Sequence, residues 1–321
     1  MDEKDIINYI RNVFGKNLSF ELNDDVAYVN DDDGFLVLKV DMLVGSTDVP
    51  PSMTPQQIGR KALVAAVSDF AAKGVSPDGA LLSIGLPRGY KEELIKGIIN
   101  GFKDASIEFG VELLGGDVNE SKDLVIDCVL YGRAKRRVSR GGARPGDLIF
   151  VTGEFGPSKA GLDFLLKGSG LPDGKMKDVC VHAALEQSPP LLFGVRAVEA
   201  GLFTSSMDSS DGLAITLHEM SKQGHVKYMI EELPIDHAMA NFLRNSNNDV
   251  YSAVFYGGEE YQIVFTCDPS SITALREIAR SLGITLRHLG RVEEGEGVFF
   301  YEGQRWVPVH DTGWVHFDST V

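Results

Sequence analysis

A chain of 321 residues is longer than one small hydrophobic core requires, and its length points to two domains. Its formal charge of −15, from 31 Lys and Arg against 46 Asp and Glu, excludes wrapping of nucleic acid or anionic lipid by bulk charge attraction. An anionic small substrate stays possible, provided that local cations or metal ions bridge the two.

The N-terminal stretch "MDEKDIINYIRNVFG" is charged and amphipathic, unlike a signal peptide, and its apolar spacing predicts a first helix over 4–14. "VAYVN" and "GFLVLKVDML" read as strands joined by the acidic turn "DDDG". A helix follows from Pro55, capped by Thr54 and closed by Gly74. "GALLSIGLP" reads as a strand, "KEELIKGIINGFKDASIEFG" as a helix, and "VELLGGD" and "DLVIDCVLYGRA" as strands. The basic stretch "KRRVSRGGARPGD" is taken as a boundary, giving domains 1–138 and 139–321. Beyond it, "DLIFVTG" predicts a strand, "SKAGLDFLLKG" and "PPLLFGVRAVEAG" helices, and "GLAITLHEMSKQG" a helix opened by "MDSSDG". "AVFYGGEEYQIVFTCD" reads as two strands about a Gly-Gly turn, "SITALREIARSLG" as a helix, and residues 286–309 as closing strands. Strands and helices intermix with many antiparallel-type turns, so the expected class is α+β.

No run of about 18 apolar residues occurs, so no membrane span is expected. Cys128, Cys180 and Cys267 have no metal or redox spacing and suit buried thiols in a reducing, cytoplasmic compartment. "VTGEFGPSKAGL" lacks the spacing of a phosphate loop and reads as a strand-to-helix turn capped near Ser158. No Gly-x-Gly-x-x-Gly follows a strand, and the seven histidines are scattered, which argues against dinucleotide and zinc chemistry. Ser-Asp recurs beside an apolar helix in "VSDFAAKG" and "SSDGLAIT", one copy per half.

Aspartates stand out instead. "NDDVA" (Asp24, Asp25), "KVDMLV" (Asp41), "VSDFAAKG" (Asp69), "LGGDVNE" (Asp117) and "MDSSDGL" (Asp208, Asp211) all fall at strand or helix ends. Each alone fits a cap or turn, for which Asp is well suited. If they converge, each close pair costs about 4 kcal/mol at 4 Å and an effective dielectric of about 20. Hard divalent cations remove that cost, and an all-oxygen donor set points to Mg²⁺.

The ordered set Asp-Asp-x-Ala, Asp-Met-Leu-Val, Ser-Asp-x-Ala-Ala-x-Gly, Gly-Gly-Asp, Arg-x-Gly-Ala-x-Pro-Gly-Asp, Asp-x-Ser-Asp-Gly-Leu and Gly-Gly-Glu-x-Tyr resembles the thiamine-monophosphate kinase family, within the superfamily of aminoimidazole ribonucleotide synthetase. The resemblance implies several Mg²⁺ ions on Asp25, Asp41, Asp69, Asp117, Asp208 and Asp211, with Asp117 and Asp211 central to catalysis. It places ATP against Gly116, Asp117, Arg140 and Ser210, and the acceptor thiamine monophosphate near Asp48, Glu259 and Trp314. A solvated linker for Arg140 and a core plug for Trp314 stay open as alternatives. It further implies a homodimer whose N-terminal sheets pair into a barrel, and direct in-line transfer giving thiamine diphosphate and ADP. The pattern departs at Lys39 and Val40, where Ser or Thr is usual, at Asp48, where His is usual, and at Lys73, where Met is usual. A sister enzyme with another acceptor and a non-catalytic nucleotide or thiamine-phosphate sensor are the alternatives.

Overall fold

A computed structural model describes residues 3–15, 24–168 and 170–313. After α1 (Glu3–Phe14), β1 (Ala27–Asp31) and β2 (Gly34–Val44) form a hairpin with Asp31 opposite Gly34. The short α2 (Gly45–Asp48) leads to α3 (Pro55–Lys73), whose ends follow local chemistry. Thr54 and Gln57 make a reciprocal capping box, Pro55 fills the first turn, and Gly74 ends the helix at a φ of 64°. β3 (Ser76–Pro87), α4 (Glu92–Phe109), β4 (Glu112–Ser121) and β5 (Val125–Ala134) complete a five-stranded sheet of order β1-β2-β5-β3-β4. Only β3 and β4 pair in parallel in it.

The second sheet has the order β12-β11-β8-β10-β6-β9-β7. Its chain order is β6 (Leu148–Thr152), α5 (Pro157–Lys167), α6 (Lys175–Leu185), α7 (Leu191–Glu199), β7 (Ser205–Ser209), α8 (Leu213–Gly224) and β8 (Val226–Ile230). Then come α9 (His237–Asn245), α10 (Val250–Phe255), β9 (Gln262–Cys267), α11 (Ile272–Ser281), β10 (Leu286–Glu294), β11 (Gly297–Glu302) and β12 (Arg305–Pro308). Mixed sheets with helices against them agree with the expected α+β class.

α3 joins the two sheets. It is buried on nearly every side from Ile58 to Lys73. One core cluster takes Val37, Phe70 and Leu130 from the first half and Phe150, Phe193 and Phe265 from the second. Each buried Phe contributes about 1.5–3 kcal/mol, so this shared core is a large part of the folding energy. α4 packs close on α3 because a Cβ at Gly59 would stand 1.8 Å from the Ile98 carbonyl oxygen, and one at Gly101 would stand 1.8 Å from that of Gln56.

Several expectations are corrected. The stretch from Ala253 is helical, not a strand: Asp249 caps α10 by accepting from the Tyr251 and Ser252 N–H groups. Of the two readings open for Asp208, the helix cap falls away: it lies in β7, paired with Ile263 of β9, and α8 starts at Leu213. Ser158 sits inside α5 and donates its hydroxyl to the Ala183 carbonyl, so Gly156 takes the cap position without a side-chain bond. α2, α6, β8 and α9 carried no sequence signal strong enough to be predicted. The three thiols are buried and unpaired, and no helix among the described residues is long and apolar enough to cross a membrane.

Candidate active site

The C-terminal half of α3 places Ser68, Asp69 and Lys73 against the start of β1 and against β7. Ser68 Oγ donates to Asp208 Oδ2 at 2.9 Å, so the two Ser-Asp segments meet across the halves. One oxygen from each of Asp25, Asp69 and Asp208 lies within 4.8 Å of the others, and all three residues are buried. The loop after β7 is zipped to residues 257–261: Glu259 N–H donates to Ser210 O at 2.7 Å and Tyr261 N–H to Ser209 O at 2.9 Å. Glu259 and Tyr261 are held at φ values of 70° and 51°, a backbone state that stores strain where side chains must be aimed.

These elements enclose a cavity of about 580 Å³, the size of a small-molecule site. Asp41, Asp48, Asp69, Asp208, Asp211 and Glu259 line it, with Ser210 and Arg140. Several cations counter the acids. Lys73 Nζ, fully buried, lies 2.6 Å from Asp24 Oδ1, 2.9 Å from Asp25 Oδ2 and 2.7 Å from Ser206 O. Arg140 Nε donates to Asp25 Oδ1 at 2.8 Å. Lys39 Nζ sits 2.8 Å from Asp69 Oδ2 and 3.6 Å from Asp41 Oδ2. Lys61 Nζ contacts both Glu259 oxygens and donates to Asp48 O at 2.8 Å.

The balance is uneven. Burial pushes the Asp25 carboxyl up, but the Arg140 and Lys73 charges outweigh it and hold it below the ordinary range. Burial, with repulsion from Asp208, Asp41 and Asp25, keeps the Asp69 carboxyl well above that range despite Lys39. Asp208 is pushed up to about 7 by burial and by Asp25. Asp69 and Asp208 therefore form a buried, oxygen-only pair short of positive charge, the condition that a hard divalent cation satisfies.

Not every expected residue lies here. Gly116 and Asp117 are exposed on β4 and do not line the cavity. Gly116 is needed by the sheet itself, since a Cβ there would stand 1.7 Å from the Leu82 carbonyl oxygen. Asp48 reaches the cavity, while its Oδ2 accepts from Val44 N–H at 2.6 Å. Trp314 lies outside the described residues. The basic stretch is no free linker at Arg140, whose guanidinium is fixed to Asp25.

Comparison with known proteins gives two matching family models, AIR synthase related protein, N-terminal domain, over residues 23–134, and its C-terminal domain over residues 144–302. The chain is 38% identical over 318 residues to a curated thiamine-monophosphate kinase of Nitrosopumilus maritimus, covering 99% of both. A second, from Pyrococcus horikoshii, is 33% identical and covers 92% of this chain and 90% of its own. The chain belongs to the thiamine-monophosphate kinase family. A solved structure described as AaThiL complexed with AMPPCP and TMP superposes with a TM-score of 0.87 at 28% identity, covering 98% of this chain and 97% of that one.

Within the thiamine-monophosphate kinase family pattern, the two lysine departures turn out to be structural partners of the acids. Lys73 looked like a helix-end cation and Lys39 like a strand-face residue; neither sequence position signals contact with distant aspartates. Sequence reasoning also missed Lys61 and Gln187, whose amide donates to Glu259 Oε2 at 3.0 Å. It gave no reason to bring α1 here, yet Ile7, Asn8 and Arg11 line the cavity. Arg11 Nε and Nη2 are buried without a hydrogen-bond partner among the described residues.

Proposed function

We propose that the protein transfers the γ-phosphoryl group of ATP to the phosphate of thiamine monophosphate, releasing ADP and thiamine diphosphate. The convergence of aspartates from both halves in one cavity carries this reading. A cavity so acidic repels polyphosphate unless cations intervene. Asp25, Asp41, Asp69, Asp208 and Asp211 are the chain's own candidates to hold Mg²⁺, which when bound supplies charge neutralisation along the phosphates. Arg140, Arg11 and Lys61 offer donors to phosphate oxygens, and Ser210 and the strained loop at 257–261 set the rim. In the transfer, an acceptor phosphate oxygen bonds to Pγ as the bond from Pγ to the β-bridging oxygen breaks. The attacking oxygen is already anionic, so no side chain is required as a strong base, and positioning and electrostatics dominate. Asp48 and Glu259 are proposed to face the acceptor, with Trp314.

We further propose that the working unit is a homodimer. Val40 pairs with Val129, and Val129 with Leu81, forming an apolar row across the outer face of the first sheet. Val40 is 60% exposed and Leu81, in the same row on β3, 47%. Such a patch calls for a covering partner. A second copy laid on this face brings Gly116 and Asp117 to the cavity as the partner subunit's residues. The three buried thiols fit a cytoplasmic setting.

The test is ADP release with ATP, Mg²⁺ and a panel of phosphorylated acceptors. Thiamine monophosphate should give the largest kcat/KM, with thiamine diphosphate as product. ATP binding without ADP release on any acceptor rejects the kinase reading.

A further inference from the structure

Among the cations inside the carboxylate cluster, Lys39 is held differently from the others. Lys73 has no exposed surface, and its ammonium meets three acceptors, the full capacity of its three donors. Arg140 grips Asp25 through two of its nitrogens. The Lys39 side chain is 22% exposed, lines the cavity and, among the described residues, has ion pairs to Asp69 at 2.8 Å and Asp41 at 3.6 Å. Lys39 and Asp41 are two apart on β2, so both side chains leave the same face of the strand toward α3, which carries Asp69.

We propose that the Lys39 ammonium is a tethered placeholder cation, occupying the position between Asp41 and Asp69 that a divalent ion takes, and that it must leave before an ion binds there. This rests on reading the cavity as a Mg²⁺ site. An ammonium on a flexible four-carbon stem suits the role, being a compact charge that withdraws by rotation without losing its proton. On withdrawal it stays on the cavity wall, where phosphate oxygens can receive it. The exchange partly offsets the charge of Asp41 and Asp69 when no ion is present, at the expense of ion affinity. The cluster therefore holds fewer ions in the nucleotide-free protein than its carboxylates could support.

The experiment titrates the full-length, nucleotide-free protein with Mn²⁺ and follows free Mn²⁺ by electron paramagnetic resonance. Lys39→Met and Lys39→Gln should each bind one more Mn²⁺ per chain than wild type, or bind at least tenfold more tightly, about 1.4 kcal/mol. Wild-type binding with both variants unchanged in number and affinity overturns the placeholder alone. No Mn²⁺ binding by any of the three overturns the placeholder and the metal reading together. Variants that fold only when Mg²⁺ is present support the proposal. Variants that stay unfolded at every Mg²⁺ concentration overturn it, because the ammonium would then be doing something no divalent ion can replace.

Discussion

Lys73→Met removes a positive charge from a place where water cannot replace it. Its ammonium lies 2.6 Å from Asp24 and 2.9 Å from Asp25 with no exposed surface. At an effective dielectric of about 20, each contact carries about 6 kcal/mol of attraction, offset by several kcal/mol for burying each ion. Truncating one member of such a buried set leaves its partners unpaired and costs about 3–5 kcal/mol. That is a large share of a total stability of about 5–15 kcal/mol. At about 2–3 °C per kcal/mol for a chain of this size, the melting temperature falls by about 10 °C. Calorimetry in chelator, on wild type, Lys73→Met, Asp24→Asn and the double variant, measures this directly. The double variant should recover part of the loss, with a coupling of about 1–3 kcal/mol. A fall of less than about 2 °C, or strictly additive single effects, would refute the charge accounting.

Asp211→Asn should cut kcat by about a hundredfold or more while leaving the melting temperature close to wild type, since Asp211 is exposed at the cavity wall; near-normal turnover removes it from the machinery. Leu81→Asp places a charge in the exposed apolar row of the first sheet and should shift sedimentation from dimer to monomer, with loss of ADP release. A monomeric wild type would end the dimer proposal. Glu260→Gln tests a buried carboxyl that burial holds well above its ordinary 4.5. With the folded value raised, its stabilising contribution is complete below about pH 4.5 and is lost as pH rises toward the folded value. The glutamine variant should match wild type in urea midpoint near pH 4 and gain on it steadily toward pH 8. A gap that does not change with pH contradicts that protonation state.

The elements that could be read from the sequence were those whose ends carry their own chemistry. Thr54, Pro55 and Gly74 bound α3 without help from distant residues. α10 was read as a strand because "AVFY" is β-branched and aromatic, while its helical state rests on Asp249 and on burial against the second core. Asp208 looked like a cap because Ser and Gly surround it, yet pairing between β7 and β9 decided its place. The aspartate set pointed to the cavity because its motifs are ordered along the chain. The cations did not, for Lys39 and Lys73 take their meaning from partners in separate segments. Asp117 marks a different limit: its motif matches the family pattern, yet it lies exposed on the edge strand β4, away from the cavity.

The helix α3 is walled by strands and helices of both halves. A polypeptide severed between residues 134 and 148 would split that shared core, while the second half keeps a separate buried cluster of its own. Any motion between the halves would carry α3, and with it Asp69 and Lys73, along with one of them. The margins of the cavity are formed by α1 and by the loop following α10. Those margins are where a new acceptor preference could evolve without disturbing the acidic floor.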